Sequence, residues 1–345
     1  METLTHTKET TSPDDSALSM LGSSLDLRRF DTLVHAGPMD FRGYVHEIPN
    51  HELDWNTTIF YTVTNPAITA RLQERFGKRP LWADSVIEAA CETARTLPPQ
   101  QYHVPSPIMD YMTRECEFKN EHADGGFIDH LDFCAEYTTR YFPQGSPHVL
   151  FLHSICGVNT NLFPLEFDKI PDLKSLLTDH EYLHVQAFPA MLRLLFMDEV
   201  LGVLWDEDDV VDRVEGVEFS AFHGTKLTLV GEEFWMHLNY HLIHLLDFMP
   251  TQNFDRFLND PFVRLFVRLH EFLRKQDKLY ATVRLDRLGQ VEGMTAPNET
   301  LPTWDHLLSR LDADEVAKAH EQLRAQLRRY SKAIDHDLAY EILWK

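Results

Sequence analysis

Residues 233–244 read Glu233-Phe-Trp-Met-His237-Leu-Asn-Tyr-His241-Leu-Ile-His244, an apolar stretch that carries three histidines and one glutamate. On a helix that turns about 100° per residue, the four polar positions fall within a stripe roughly 80° wide. Neutral imidazole is the commonest metal ligand in proteins, and burying four such groups for packing alone is costly. The stretch therefore predicts a core helix that supplies metal ligands. Core histidines whose ring nitrogens are satisfied by neighbours are the alternative.

Apolar residues recur at three- and four-residue spacing through much of the remaining chain, which predicts further helices. They are predicted over residues 81–97, 106–122, 130–141, 173–203, 227–248 and 261–288, and from residue 304 towards the C-terminus. This pattern indicates an all-α bundle, although residues 57–64 have the composition of a short strand. Residues 1–25 are predicted to be a disordered tail, and residues 26–345 a single helical domain with its metal-binding core at about 105–250.

The amino-acid composition and net charge of the chain limit the classes of molecule that it is expected to bind. The chain has 345 residues, 43% of them hydrophobic and 25% charged, and this is ordinary for a globular protein. A formal net charge of -22 repels phosphate backbones and anionic lipids, so neither nucleic acid nor a membrane is an expected partner. We expect a small-molecule substrate and leave open whether the chain forms a homodimer.

Cysteine usage and the first residues indicate a compartment. The four cysteines form no Cys-x-x-Cys pair, which favours a reducing environment over a disulfide framework. The first 24 residues lack the basic flank and apolar centre of a signal peptide, and no apolar run approaches the roughly 20 residues of a membrane span. The sequence therefore predicts a cytoplasmic protein.

Two other segments offer candidate ligands. Glu121 precedes a glycine turn and His130 follows it, so the two side chains can face one ion from successive helices; Glu117, one turn earlier, is the alternative to Glu121. Glu181 and His184 form a Glu-x-x-His pair, whose members can both bind a metal on one helix. A solvated Glu121, a helix-capping His130 and a chance Glu-x-x-His match are the alternatives.

Three segments that carry candidate ligands follow one another along the chain. They are Asn120-Glu121 with His130-Leu-Asp-Phe, then His184-Val-Gln-Ala-Phe-Pro189, then His237-x-x-x-His241-x-x-His244. Together they resemble the haem-oxygenase-like dimetal oxidase superfamily. In that family a Glu is usual at the position of His184 and an Asp at the position of His241. The resemblance therefore leaves open whether Glu181 or His184 is the ligand.

The resemblance implies a haem-oxygenase-like helical bundle with extra N- and C-terminal helices, two Fe(II) ions as cofactor and O2 as co-substrate. It implies an oxidase that functionalises an unactivated C–H bond of a small aliphatic substrate. The oxidases that it resembles most act in polyoxin-type antibiotic biosynthesis, where they desaturate a free amino acid such as isoleucine or valine and cyclise it to an azetidine. The metal ligands that it implies are Glu121, His130, Glu181 or His184, His237, His241 and His244.

Other functions compete with this one. An N-oxygenase or a hydroxylase of an amino acid would use the same ligands. A zinc-dependent hydrolase would hold a different metal on them. A non-catalytic helical binding protein would use the histidines for packing. If the substrate is an amino acid, its carboxylate needs a cation. Arg193, beyond His184 on the same predicted helix, can offer a bidentate fork to it. A surface or structural arginine is the alternative.

Overall fold

The computed structural model describes residues 101–115, 126–156, 169–207, 209–221, 224–246, 261–284, 301–314 and 338–345, together with residues 317, 321, 324, 325 and 328. The predicted tail, the predicted helix at 81–97 and the strand-like segment at 57–64 lie outside these residues. Most of the described chain is helical, which confirms the predicted helix-rich character.

The described helices are α1 (Ser106–Glu115), α2 (Gly126–Tyr141), α3 (Pro147–Phe151), α4 (Ile170–Leu173), α5 (Asp179–Phe196), α6 (Leu201–Trp205), α7 (Val210–Arg213), α8 (Glu232–Leu246), α9 (Pro261–Lys275) and α10 (Trp304–Ser309). The described strands are β1 (Val214–Ser220), β2 (Lys226–Val230) and β3 (Tyr340–Trp344). No helix among the described residues is long and apolar enough to cross a membrane.

The core forms around α5 and α8, both of which are buried along most of their length. α8 packs against α2, α3, α5, α9 and β2, and α5 also packs against α3, α9 and β1. Burial of apolar side chains from several helices against one another is the main stabilising contribution to such a core. The two helices that carry the candidate ligands are therefore held on several sides.

A buried amide ties α8 to the chain that follows α9. The side-chain nitrogen of Asn239 donates to the carbonyl oxygens of Trp235 and Lys278 at 2.9 and 2.8 Å. Its side-chain oxygen accepts from the backbone N–H groups of Tyr280 and Ala281 at 2.9 and 3.1 Å. The two donors and two acceptor sites of this amide are thus all used, as burial requires.

The three strands form an antiparallel sheet in the order β2-β1-β3. Leu227 and Leu229 of β2 face the core while their neighbours face outward, the alternation of a half-buried strand. A Cβ on Gly216 of β1 would lie 1.9 Å from the carbonyl oxygen of Leu229, so only glycine permits this approach of the two backbones.

This sheet corrects the prediction of an all-α protein. The predicted helix at 227–248 begins with β2; Gly231, with φ of +57°, ends the strand and α8 starts at Glu232. The predicted helix at 173–203 is divided into α4, α5 and α6, and Asp198 with φ of +61° lies between the last two. The last described residues form β3 rather than a helix, and α9 ends at Lys275 instead of near residue 288.

Candidate metal centre

A capping box fixes where α5 begins. The Thr178 hydroxyl accepts from the backbone N–H of Glu181 at 3.2 Å, and the Glu181 carboxylate accepts from the backbone N–H of Thr178 at 2.8 Å. This reciprocal pair satisfies two N–H groups that a helix start leaves unpaired. His180 and His184 follow on the first two turns of α5, one helical turn apart, so both rings project from the same side.

The carboxylate of Glu181 is engaged outside the candidate centre. Its second oxygen accepts from the Ser146 hydroxyl at 2.5 Å and lies 3.0 Å from His148 Nδ1, both at the start of α3. Burial alone would raise the pKa of this carboxyl, but hydrogen bonds from His148, Ser146 and Thr178 outweigh it and lower the pKa from 4.5 to about 2. Of the predicted pair, the structure therefore gives Glu181 a helix-capping contact and places His184 in the candidate centre.

Three side chains from two helices converge beside the start of α5. Glu233 Oε2 lies 2.7 Å from His180 Nδ1 and 2.8 Å from His184 Nε2. One ligand atom from each of the three residues lies within 4.8 Å of the other two, close enough for a single metal ion. The side chain of His184 is fully buried, whereas those of His180 and Glu233 are 31% and 41% exposed. The group therefore opens to solvent on one side and is closed on the other.

The charges of this group suit a cation. Burial lowers the pKa of His184, partly offset by its hydrogen bond to Glu233, and that hydrogen bond in turn lowers the pKa of Glu233. The group thus holds a neutral imidazole beside an ionised carboxylate near neutral pH. These are the protonation states in which the two side chains bind metals.

The buried side continues as a row of imidazoles. His184 Nδ1 lies 2.7 Å from His237 Nδ1, and His237 Nε2 lies 3.2 Å from His241 Nε2. Burial is the largest influence on both His237 and His241 and holds their pKa values well below 6.5, with neighbouring histidines adding to the effect. Both rings are therefore neutral near pH 7. Of the three predicted histidines of α8, His237 thus contacts the candidate centre directly and His241 contacts His237.

Phe188 separates the third predicted histidine of α8 from that centre. Its ring centroid lies 4.1, 5.4 and 5.8 Å from those of His241, His244 and His237, and 4.9 Å from that of His153. His244 instead packs edge to face on His153, with 4.7 Å between ring centroids. In this arrangement the three histidines of α8 surround a phenylalanine rather than one ion.

Of the remaining predicted site residues, the structure describes the side chain of Arg193. Glu121, its alternative Glu117 and the side chain of His130 lie outside the described residues, although α2 includes position 130. Arg193 is fully buried, so it is not a surface arginine. It follows His184 by nine residues, which corresponds to about 14 Å along the axis of α5.

Sequence reasoning missed His180. It placed Glu233 on the polar stripe of the predicted ligand helix but did not include it among the ligands that the resemblance implies. The signal for His180 was present, because His180-Glu181-Tyr-Leu-His184 has the His-Glu-x-x-His spacing, in which two histidines one turn apart bind one metal. The partner of His180 was not readable, since Glu233 lies 53 residues away and meets it only through packing of α5 on α8.

Tyr240, a buried residue of α8, contacts His180 of the three-residue group. Its hydroxyl lies 3.2 Å from His180 Nε2 and accepts from the backbone N–H of Ser146 at 2.7 Å. Burial, the largest influence, raises the pKa of Tyr240 well above its usual value, and its hydroxyl is accordingly neutral. The ring of His180 is thus held at both nitrogens, one by Glu233 and the other by Tyr240.

Comparisons with protein-family models, with curated proteins and with solved structures gave no match to this chain.

Proposed function

We propose that this protein is an O2-dependent non-haem iron oxidoreductase that holds iron on His180, His184 and Glu233. The observation that carries the proposal is the convergence of their ligand atoms within 4.8 Å of one another. Two imidazoles and one carboxylate that leave coordination positions free are typical of ferrous sites in oxygenases. Bound there, ferrous iron would supply the reduction of O2.

The surroundings fit this chemistry. The inner wall consists of His184, His237 and Phe188, which are all buried, so water has little access from that side. The outer side, where His180 and Glu233 are partly exposed, is open to solvent. The protein thereby orients the ligands and excludes water from one side, while the metal supplies the redox chemistry.

The resemblance to haem-oxygenase-like oxidases extends the proposal to a second iron and to a free aliphatic amino acid as substrate. His237 adjoins the three-residue group and His241 adjoins His237, and both are neutral, as further ligands must be. A complete dinuclear set would also need carboxylates such as Glu121, which lies outside the described residues. Desaturation with cyclisation to an azetidine, hydroxylation and N-oxygenation are the candidate outcomes for such a substrate.

A zinc-dependent hydrolase is the second candidate, because the His-Glu-x-x-His spacing is that of zinc enzymes in which the glutamate serves as general base. Here that glutamate is Glu181. Its carboxylate is bonded to Thr178, Ser146 and His148, and a pKa of about 2 makes it a weak base. This arrangement favours the oxidoreductase over the hydrolase.

The test starts from protein expressed with iron supplied and purified without oxygen. We expect bound iron in the natural chain, its loss in His180→Ala and in Glu233→Ala, and its retention in His306→Ala, which replaces an exposed histidine of α10. Elemental analysis measures the metal. Unchanged iron content in both ligand variants would overturn the assignment of the site, and absence of any tightly bound metal would favour a non-catalytic binding protein.

The reaction is tested by incubating the iron-loaded protein with O2 and a pool of free amino acids. We expect O2 consumption and a mass change in one amino acid. Loss of hydrogens would indicate desaturation or cyclisation, and gain of oxygen would indicate hydroxylation or N-oxygenation. Retention of zinc, turnover without O2 and complete loss of that turnover in Glu181→Gln would instead establish the hydrolase.

A further inference from the structure

The three side chains of the candidate centre are not equally restrained. His184 is fully buried, and its ring packs on that of His237 with 4.9 Å between centroids. His180 lies on the first turn of α5 with 31% of its side chain exposed, and Glu233 is 41% exposed. A partly exposed side chain loses rotamer freedom when it is fixed in one orientation, so a fixed neighbour is needed to hold it. The orientation of His180 therefore depends on a contact beyond the other two ligands.

Tyr240 supplies that contact. Its hydroxyl oxygen lies 3.2 Å from His180 Nε2, whereas Glu233 Oε2 lies 2.7 Å from the other ring nitrogen, Nδ1. A hydroxyl both donates and accepts, so the contact persists with either placement of the hydrogen on the ring. The same tyrosine packs edge to face on His184, with 5.1 Å between ring centroids. Tyr240 thus contacts both imidazoles of the centre.

The position of this hydroxyl is fixed by the surrounding fold. Tyr240 is fully buried, and its ring packs edge to face on that of Phe142 with 5.3 Å between centroids. The backbone N–H of Ser146 donates to its oxygen at 2.7 Å. A Cβ on Gly145 would lie 2.4 Å from the Phe142 ring, so glycine lets the chain turn this tightly. The turn between α2 and α3, residues 142–146, therefore fixes the atom that contacts His180.

We propose that Tyr240 is a positioning residue of the candidate metal centre, whose hydroxyl, fixed by the backbone N–H of Ser146, holds the ring of His180 towards the other two ligands. The proposal rests on the metal site of the proposed function. Neighbours that contact metal-bound histidines fix the orientation of the ring and contribute to metal affinity. The α2–α3 turn thereby acts on the metal through Tyr240 and His180, although the turn supplies none of the three ligands.

Metal binding by Tyr240→Phe tests this role. The substitution keeps the ring, which packs on Phe142 and His184, and removes only the hydroxyl. Titration of the full chain with Zn(II) measures the affinity, and the visible absorption of bound Co(II) reports the geometry of the ligands. We expect Tyr240→Phe to bind Zn(II) about 10–100-fold more weakly than the natural chain and to change the Co(II) spectrum, as for lost partners of metal-bound histidines.

Tyr111→Phe is the matched control. Tyr111 of α1 is buried in a separate part of the core, and its hydroxyl donates to the carbonyl oxygen of Lys169 at 2.7 Å. The control therefore removes a comparable hydrogen bond away from the centre. We expect it to preserve both the Zn(II) affinity and the Co(II) spectrum. Equal weakening of Zn(II) binding in the two tyrosine variants would mean that binding follows general stability, and it would overturn the positioning role.

Two substitutions at Ser146 test the link to the turn. Alanine and proline both remove the Ser146 hydroxyl, which caps α3 and contacts Glu181, but only proline also removes the backbone N–H. Ser146 has φ of -94° and ψ of 126°, an extended conformation close to that of proline. Because the Tyr240 hydroxyl loses its donor, we expect Ser146→Pro to bind Zn(II) about 2–10-fold more weakly than Ser146→Ala. Equal affinities would contradict a role for this N–H.

The outcomes separate the positioning role from the metal site. If the natural chain binds neither Zn(II) nor Co(II), or if His180→Ala leaves binding unchanged, the metal site fails and the positioning role with it. If the natural chain binds both ions and Tyr240→Phe matches its affinity and its Co(II) spectrum, the positioning role is wrong and the metal site stands. Circular dichroism without metal verifies that the compared chains are folded, and Tyr240→Phe decides the outcome alone if Ser146→Pro does not fold.

Discussion

Replacing Glu181 with glutamine should make the free energy of unfolding of the protein depend less on pH. The carboxylate of Glu181 is nearly buried and accepts hydrogen bonds that favour its charged form, which lowers its pKa from 4.5 to about 2. A group whose pKa is lower in the folded protein stabilises that state above its unfolded pKa. This contribution is lost as the pH falls through the folded pKa.

The size of the effect follows from the two pKa values. At about 1.4 kcal/mol for each unit of pKa, a fall from 4.5 to about 2 corresponds to about 3 kcal/mol of unfolding free energy at pH 7. At pH 3, one unit above the folded value, about 1.4 kcal/mol remains. Glu181→Gln removes this charge while keeping an acceptor oxygen for Thr178, so the variant should lose about twice as much stability at pH 7 as at pH 3.

Urea denaturation followed by tryptophan fluorescence, with a chelator present in every sample, measures this difference. Glu218→Gln is the control, because Glu218 pairs with Lys226 on the exposed side of the sheet and such surface pairs contribute little. An equal loss at both pH values, or a loss at pH 7 no larger than that of the control, would refute the reasoning.

Two further substitutions test the fold. Gly216→Ala should destabilise the protein by about 1–3 kcal/mol, because the added Cβ would lie 1.9 Å from the Leu229 carbonyl oxygen. Thermal unfolding measures this loss. An unchanged melting temperature would contradict the described pairing of β1 and β2. Asn239→Leu should lower the free energy of unfolding by about 3 kcal/mol, because the N–H groups of Tyr280 and Ala281 lose their buried acceptor. Urea denaturation measures this loss. A loss under about 1 kcal/mol would mean that these N–H groups find other partners.

The helices that carry the candidate centre were predictable from sequence. α5 and α8 show apolar residues at helical spacing, and the row of Glu233, His237 and His241 lies on one face of α8 as its spacing predicts. The start of α5 was also readable, because Thr178-x-x-Glu181 is the pattern of a capping box. That pattern competed with a ligand role for Glu181, and the structure shows the cap.

The sheet and the full ligand group were harder to predict. β2 is a run of five residues that passes into α8 after Gly231, so its alternation is easily read as the first turn of the helix. The pairing of His180 with Glu233 depends on how α5 and α8 pack, and no spacing within either helix contains that information. Phe188, which lies among the histidines of α8, is likewise an ordinary apolar residue in the sequence.

The four hydrogen bonds of Asn239 have a consequence for how α8 can change in length. They fix the rotational setting of the helix about its axis, with Asn239 towards residues 278–281 and His237 towards His184. One residue inserted between positions 233 and 239 would turn the preceding part of α8 by about 100° relative to that anchor and move Glu233 away from His180. Insertions are therefore tolerable only beyond the ends of α8, where they leave this setting intact.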